Sequence, residues 1–207
     1  ANGNIIEKLW NDGTPLEVAP YENSSWHKKP KVTYYSDDYV ILVWENWLSS
    51  TTNIRANFIS VSGDLQFTND NNIVETLALS GSAFPRVKAT SDGAFVVWLT
   101  ADDDLYVQKM TPSNLHMWGS AKSLKTGAER IQKNARLSAD SNGGVFVVWE
   151  DDSSIAMQHL NSGGAISFNE PLILSNSQTE QYFPIVRKDA SGAFVIWADG
   201  AKNTNGI

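Results

Sequence analysis

The 207-residue chain reads as an all-β protein of about four repeated units, on three observations. The first is a set of short apolar runs ending in tryptophan: Val40–Trp44, Ala94–Trp98, Val145–Trp149 and Ala193–Trp197. These recur at intervals of roughly 50 residues, the length of one four-stranded antiparallel unit. The second is turn chemistry just ahead of each run, where Gly, Asn and Asp supply the positive φ of tight hairpins. The third is that no stretch sustains a 3.6-residue period between capping residues, so no long helix is expected. A lone meander leaves one apolar face bare, and stacking such units around an axis covers it. The expected architecture is therefore β-propeller-like, with one blade lacking its third strand. A β-sandwich is the competing all-β arrangement, but it does not require near-identical repeats.

Each unit follows the same order. The first strand starts at Pro30, Pro85, Ala135 or Pro184 and alternates, as in Arg86–Thr90. A turn follows at Ser36–Asp38, Ser91–Gly93, Ser141–Gly144 or Ala190–Gly192, and then the Trp strand, continuously apolar as expected of a strand buried on both faces. A third strand is expected over Ile54–Ile59, Leu105–Met110 and Ile155–Leu160. A second turn (Ser62–Asp64, Pro112–Asn114, Ser162–Gly164) leads to a fourth strand expected to carry Phe67, Trp118 or Phe168. The repeats are bounded at 1–29 (partial), 30–84, 85–134, 135–183 and 184–207 (partial).

The register makes Trp10 a fourth-strand aromatic, so the chain is expected to start within a blade and to end in the loop before that blade's third strand. Two arrangements fit. The N-terminal strand closes a four-bladed ring by pairing with the C-terminal hairpin, or the segment belongs to a longer repeat protein. The second is the expectation.

Composition narrows the function classes. Hydrophobic residues are 42% and charged residues 19%, a globular rather than a disordered balance. Eight Trp and eight Phe favour pleated, half-buried surfaces. A net charge of −7 without a Lys/Arg run argues against nucleic acid as a partner. With no cysteine there is no disulfide, thiolate metal site or cysteine nucleophile. No apolar run is long enough to span a bilayer.

The pattern Gly-Ala-Phe-Val-Val-Trp98, an acidic loop, Leu105-Tyr-Val-Gln108 and a later Trp118 resembles the propeller repeats of large secreted bacterial proteins. Ile155–Gln158 keeps the Gln and loses the Tyr, and Ile54–Asn57 departs at both positions. The resemblance implies a blade and an extracellular or cell-surface setting, and no particular ligand.

Candidate sites are few. Lys31, Arg86 and Arg136 share one repeat position, just after the residue that opens the first strand, and on an innermost strand they would ring the axis and attract an anion. The fourth repeat breaks the series with Ile185. Trp47, in a polar loop, is the aromatic expected to present itself for sugar or protein contact, whereas Trp44, Trp98, Trp149 and Trp197 read as packing residues. Asp102–Asp104 and Asp151–Asp152 invite calcium but lack the spacing of a known loop, so no cofactor is expected. Ser138–Gly143 approaches an Asp-box turn, but its Trp149 lies too far downstream. No catalytic constellation is visible, and His27, His116 and His159 read as incidental. The expected function is a non-enzymatic extracellular interaction module with a protein or polysaccharide partner. The alternatives are a carbohydrate-active propeller, lectin or glycoside hydrolase, and a subunit that self-assembles through open blade edges.

Overall fold

The structure, a computed structural model, describes residues 16, 18, 26–68, 72–77, 82–124, 130–175 and 179–200. The expectations for Trp10 and for the final loop fall outside these residues. Blade 1 comprises β1 (Trp26–Ser36), β2 (Tyr39–Trp47), β3 (Thr52–Ser60) and β4 (Ile73–Leu77). Blade 2 comprises β5 (Arg86–Thr90), β6 (Gly93–Leu99), β7 (Leu105–Met110) and β8 (Lys122–Ser123). Blade 3 comprises β9 (Gln132–Ala139), β10 (Val145–Asp151), β11 (Ser154–Leu160) and β12 (Leu172–Ile173), and blade 4 is the pair β13 (Gln181–Lys188) and β14 (Ala193–Asp199). Each sheet is an antiparallel meander in chain order, and no α-helix occurs among the described residues. The fold is all-β and propeller-like.

The first strands pack in succession, β1 beside β5, β5 beside β9 and β9 beside β13, which places them innermost. Side chains alternate between the two faces of each blade, and each gap between blades becomes a core. One core joins Ile41, Val43 and Phe58 of blade 1 to Val96, Trp98 and Met110 of blade 2. The next joins Phe95, Val97 and Val107 of blade 2 to Val145, Val147 and Trp149 of blade 3. The Trp strand thus contributes to the core on both sides, which accounts for its unbroken apolar run; all seven residues of β6 are buried. Trp44, Trp98 and Trp149 are buried, and Trp197 of blade 4 is half-buried.

The fourth strand starts later than the sequence suggests. Phe67, Trp118 and Phe168 precede β4, β8 and β12 rather than lying in them. Side-chain amides from the third strand take over where strand pairing is missing. Asn57 accepts from the Phe67 N–H (3.1 Å), and its own amide N–H₂ donates to the Phe67 carbonyl (2.5 Å). Gln158 makes the same pair of bonds to Phe168, at 3.2 and 2.7 Å. Gln108 accepts from Trp118 N–H at 3.4 Å. The Gln of the repeat motif is thus a clamp that satisfies main-chain groups no neighbouring strand reaches.

A second recurrent device opens the first strand. Lys29, Phe84, Asn134 and Phe183, each just before the Pro or Ala, all have φ between 49 and 54°. The pairing register slips there in blades 1, 3 and 4, the signature of a β-bulge that re-aims side chains at a sheet rim. Non-glycine residues held left-handed need support from their surroundings. Buried Glu45 accepts from the N–H groups of Ala83 (2.9 Å) and Phe84 (2.7 Å), and Glu150 from the Phe183 N–H (2.7 Å). The acidic residue after Trp44 and Trp149 therefore pins the bulge of the next blade.

Candidate anion site at the blade axis

The bulge carries the axial cations. Lys31, Arg86 and Arg136 come two residues after the left-handed residue and pair across to Val43, Val97 and Val148, matched positions on three successive innermost strands. Each is half-buried, and each donates to its own strand's carbonyls. Lys31 bonds Pro30 O (3.1 Å), Arg86 bonds Pro85 O (3.1 Å), and Arg136 bonds Ala135 O (2.9 Å) and Asn134 O (3.3 Å). Among the described residues, no carboxylate lies within ion-pairing reach of the three. Burial, and next the charge of Arg136, lower the pKa of Arg86; Glu45 opposes them. Two guanidinium groups are thus held near one another in a partly desolvated place, where a bidentate anion would relieve the repulsion. In the fourth unit Ile185 takes the position, with Arg187 exposed two residues on.

Two aromatics that sequence reasoning missed occupy the left-handed position of the same bulge. Phe84 and Phe183 are exposed at the bulge, and Lys29 Nζ lies 3.8 Å from the Phe84 ring centroid. Their signal was available, as the residue before a repeat-opening proline, but the left-handed turn that throws it outward was not.

Trp47 ends β2, half-buried. Its indole N–H donates to Glu45 Oε2 (2.6 Å), and Lys28 Nζ sits 3.6 Å from its ring centroid. The exposed ring beside it is Trp26, its cross-strand partner, 5.3 Å from the same Lys28 ammonium.

The opposite rim, formed by the hairpin turns, holds a second cluster. His159 Nε2 lies 2.8 Å from Asp140 Oδ2, and its Nδ1 lies 2.6 Å from Ser167 Oγ. With Asp140 as acceptor, Nε2 carries a proton, and Nδ1 and the Ser167 hydroxyl share the second hydrogen bond. The sequence reading treated His159 as incidental; the fold brings these three side chains together. Repeat equivalence explains the first contact. Lys109 holds the position of His159 in blade 2 and bonds Asp92 Oδ2 at 2.8 Å. Asp140 also accepts from the N–H groups of Asn142 and Gly144 (both 2.7 Å), so it closes its turn as much as it serves the imidazole. A cleft of about 220 Å³ lies alongside, between the turns of blades 3 and 4, lined by Phe146, His159, Lys188 and Asp189 among others. The cluster fastens third strand to hairpin.

Of the two acidic runs considered for calcium, one is tied to an arginine. Asp151 and Asp152 both pair with Arg130, at 2.8 and 3.3 Å, and no group of three or more metal-ligating side chains occurs among the described residues. No described helix is long and apolar enough to cross a membrane, which says nothing of membrane-spanning strands.

No protein-family model matches the sequence, and no curated protein matches it. Solved structures do. An endo-arabinase from Bacteroides thetaiotaomicron superposes with a TM-score of 0.50 at 14% identity, over 88% of this chain and 74% of that one. The subtype N11 neuraminidase-like protein of A/flat-faced bat/Peru gives 0.49 at 12%, over 79% and 43%. The catalytic domain of a Coprinopsis cinerea GH62 α-L-arabinofuranosidase gives 0.42 at 12%, over 86% and 68%. At these identities the likeness is one of fold.

Proposed function

We propose that the chain is a carbohydrate-binding propeller whose axial cations hold the carboxylate of an acidic saccharide. One observation carries the reading: Arg86 and Arg136, on adjacent innermost strands, are half-buried, close enough to depress the Arg86 pKa, and without a carboxylate partner among the described residues. A guanidinium pair matches a carboxylate in charge and in the geometry of its donors. Exposed Phe84 and Phe183 add apolar faces of the kind that stack on sugar rings. The fold likeness to an enzyme named as an arabinase moves support from a general interaction module toward the carbohydrate-active alternative.

Binding is favoured over hydrolysis. Glycoside cleavage by the usual route takes two carboxyl groups free to handle a proton and a nucleophile. Of the carboxylates nearest the bulges, Glu45 accepts three hydrogen bonds, from Ala83, Phe84 and Trp47, and Glu150 accepts two, from Asn134 and Phe183. Both serve main-chain structure. An extracellular setting, implied by the repeat resemblance, is where such polysaccharides would be met.

A glycan array tests the proposal. Binding is expected to concentrate on uronate- or sialate-bearing glycans and to be lost in Arg86→Gln/Arg136→Gln. Loss in Trp47→Ala instead would move the site to the Trp26–Trp47–Lys28 cluster. Turnover of chromogenic glycosides would overturn the non-hydrolytic reading.

A further inference from the structure

The peptide unit joining Ala83 to Phe84 is held at both ends, by two different blades. Its N–H, on Phe84, donates to Glu45 Oε1 of blade 1 (2.7 Å). Its carbonyl, on Ala83, accepts from the Leu99 N–H of blade 2 (2.8 Å). The Ala83 N–H donates to the same Glu45 oxygen (2.9 Å), and Glu45 Oε2 accepts from the Trp47 indole (2.6 Å). Both carboxylate oxygens are thereby engaged, in a side chain with no exposed surface. Phe84 follows in the left-handed region at φ 49°, and then Pro85, whose ring restricts its own φ. Arg86 donates from Nη1 to the Pro85 carbonyl (3.1 Å). The guanidinium thus rests on an acceptor whose place is set by the bulge, with few rotatable bonds between the fixed peptide and Arg86.

Building on the carboxylate reading of the axis, we infer that Glu45 is the positioning residue of that site: it aims Arg86 at the ligand through the Phe84 bulge and never touches the ligand. A binding group keeps its productive geometry only when the groups behind it are fixed. Charge alone argues for the opposite sign. Glu45 acts on the Arg86 charge, since burial lowers the Arg86 pKa most, Arg136 next, and Glu45 raises it. A carboxylate near two guanidinium groups weakens their pull on an anion. Removing it therefore tightens binding if Glu45 acts through charge, and weakens binding if Glu45 holds the bulge that carries Arg86.

Titration of a galacturonate oligosaccharide into the wild type, Glu45→Leu, Arg86→Gln and the double variant separates the two. Leucine removes both acceptor oxygens, and Leu99 holds the matching place in blade 2, so circular dichroism is expected to show the strands intact. Glu45→Leu is expected to weaken binding about tenfold in the wild-type background and less than about twofold once Arg86 is gone. Unchanged or tighter binding in Glu45→Leu overturns the role, as does an equal loss in both backgrounds. No binding by the wild type would instead defeat the carboxylate reading itself. Amide exchange of the wild type reads the same link without a substitution. By reciprocity, a ligand on Arg86 must strengthen the hold of Glu45 on Phe84. The oligosaccharide is expected to slow exchange of the Phe84 N–H about tenfold more than that of the Phe183 N–H, which Glu150 holds in the blade where Ile185 replaces the cation. Equal slowing at the two amides overturns the role of Glu45.

Discussion

At the scale of single residues, the blades hold together through a few buried groups that act across blade boundaries. Glu45 is completely buried, and its two oxygens accept from two main-chain N–H groups of the next blade and from an indole. Glu45→Ala would strand those donors in a dry environment, and chemical denaturation should register a loss of about 3 kcal/mol or more. Trp98→Ala empties a core shared by blades 1 and 2 and is expected to cost about 3–5 kcal/mol. Arg86 behaves in the opposite sense. Burial, and next its neighbour Arg136, disfavour its charge, so Arg86→Gln should leave the melting temperature unchanged or higher while weakening anion binding. A marked fall in melting temperature would mean that Arg86 serves packing rather than a ligand. The repeat position of Lys31, Arg86 and Arg136 was legible in the sequence, because a two-residue period and a recurring Pro set the register. Their lack of carboxylate partners among the described residues was not, since that depends on where Glu45 and Glu150 spend their oxygens.

At the scale of elements, the hairpin turns tie neighbouring blades. Asp92, in the β5–β6 turn, bonds Lys109 of the same blade, and the same Lys109 ammonium reaches Ser162 in the turn after β11, at 2.8 Å. Burial alone would raise the Asp92 carboxyl, but bonds from Lys109, Ser162 and Thr90 outweigh it and leave its pKa below the ordinary value. Asp140 is lowered in the same way by His159 and two turn N–H groups against burial, and Asp189 is lowered by the N–H groups of Ser191 and Gly192. A depressed carboxyl stabilises the fold above the unfolded-state pKa, about 3.9, and that contribution disappears as pH falls through the lower folded value. Stability is therefore expected to decline below about pH 4, and less steeply in Asp92→Asn; because Asp92 is half-exposed, the change in slope is modest. Identical acid profiles would discount the clasp. Gly164, at φ 82°, closes the turn after β11 against Trp118, where an added Cβ would come within 2.5 Å of the indole. Gly164→Ala is expected to cost more than about 1 kcal/mol. The strands and turns were readable because apolar runs and Gly/Asp/Asn clusters mark them locally. The late start of the fourth strand was not, because side chains of Asn57, Gln108 and Gln158 replace the pairing that a strand would provide.

At the scale of the whole molecule, four repeats stack as an arc around inner strands, and the sequence carried that much: no helix period, four Trp strands, hairpin spacing. What it could not show is a property of the assembled arc. Convergence of Arg86 and Arg136 and the meeting of Asp140, His159 and Ser167 from separate segments arise only when distant positions are packed. The central claim is that the axis is a carboxylate site on a carbohydrate-binding propeller. Isothermal titration of a galacturonate oligosaccharide beside its methyl-esterified form, in low and moderate salt, tests it most directly. The account predicts that the acid binds at least about tenfold more tightly, that salt narrows the gap, and that Arg86→Gln/Arg136→Gln abolishes it. Equal affinity for the two forms, or no binding of either, would contradict it.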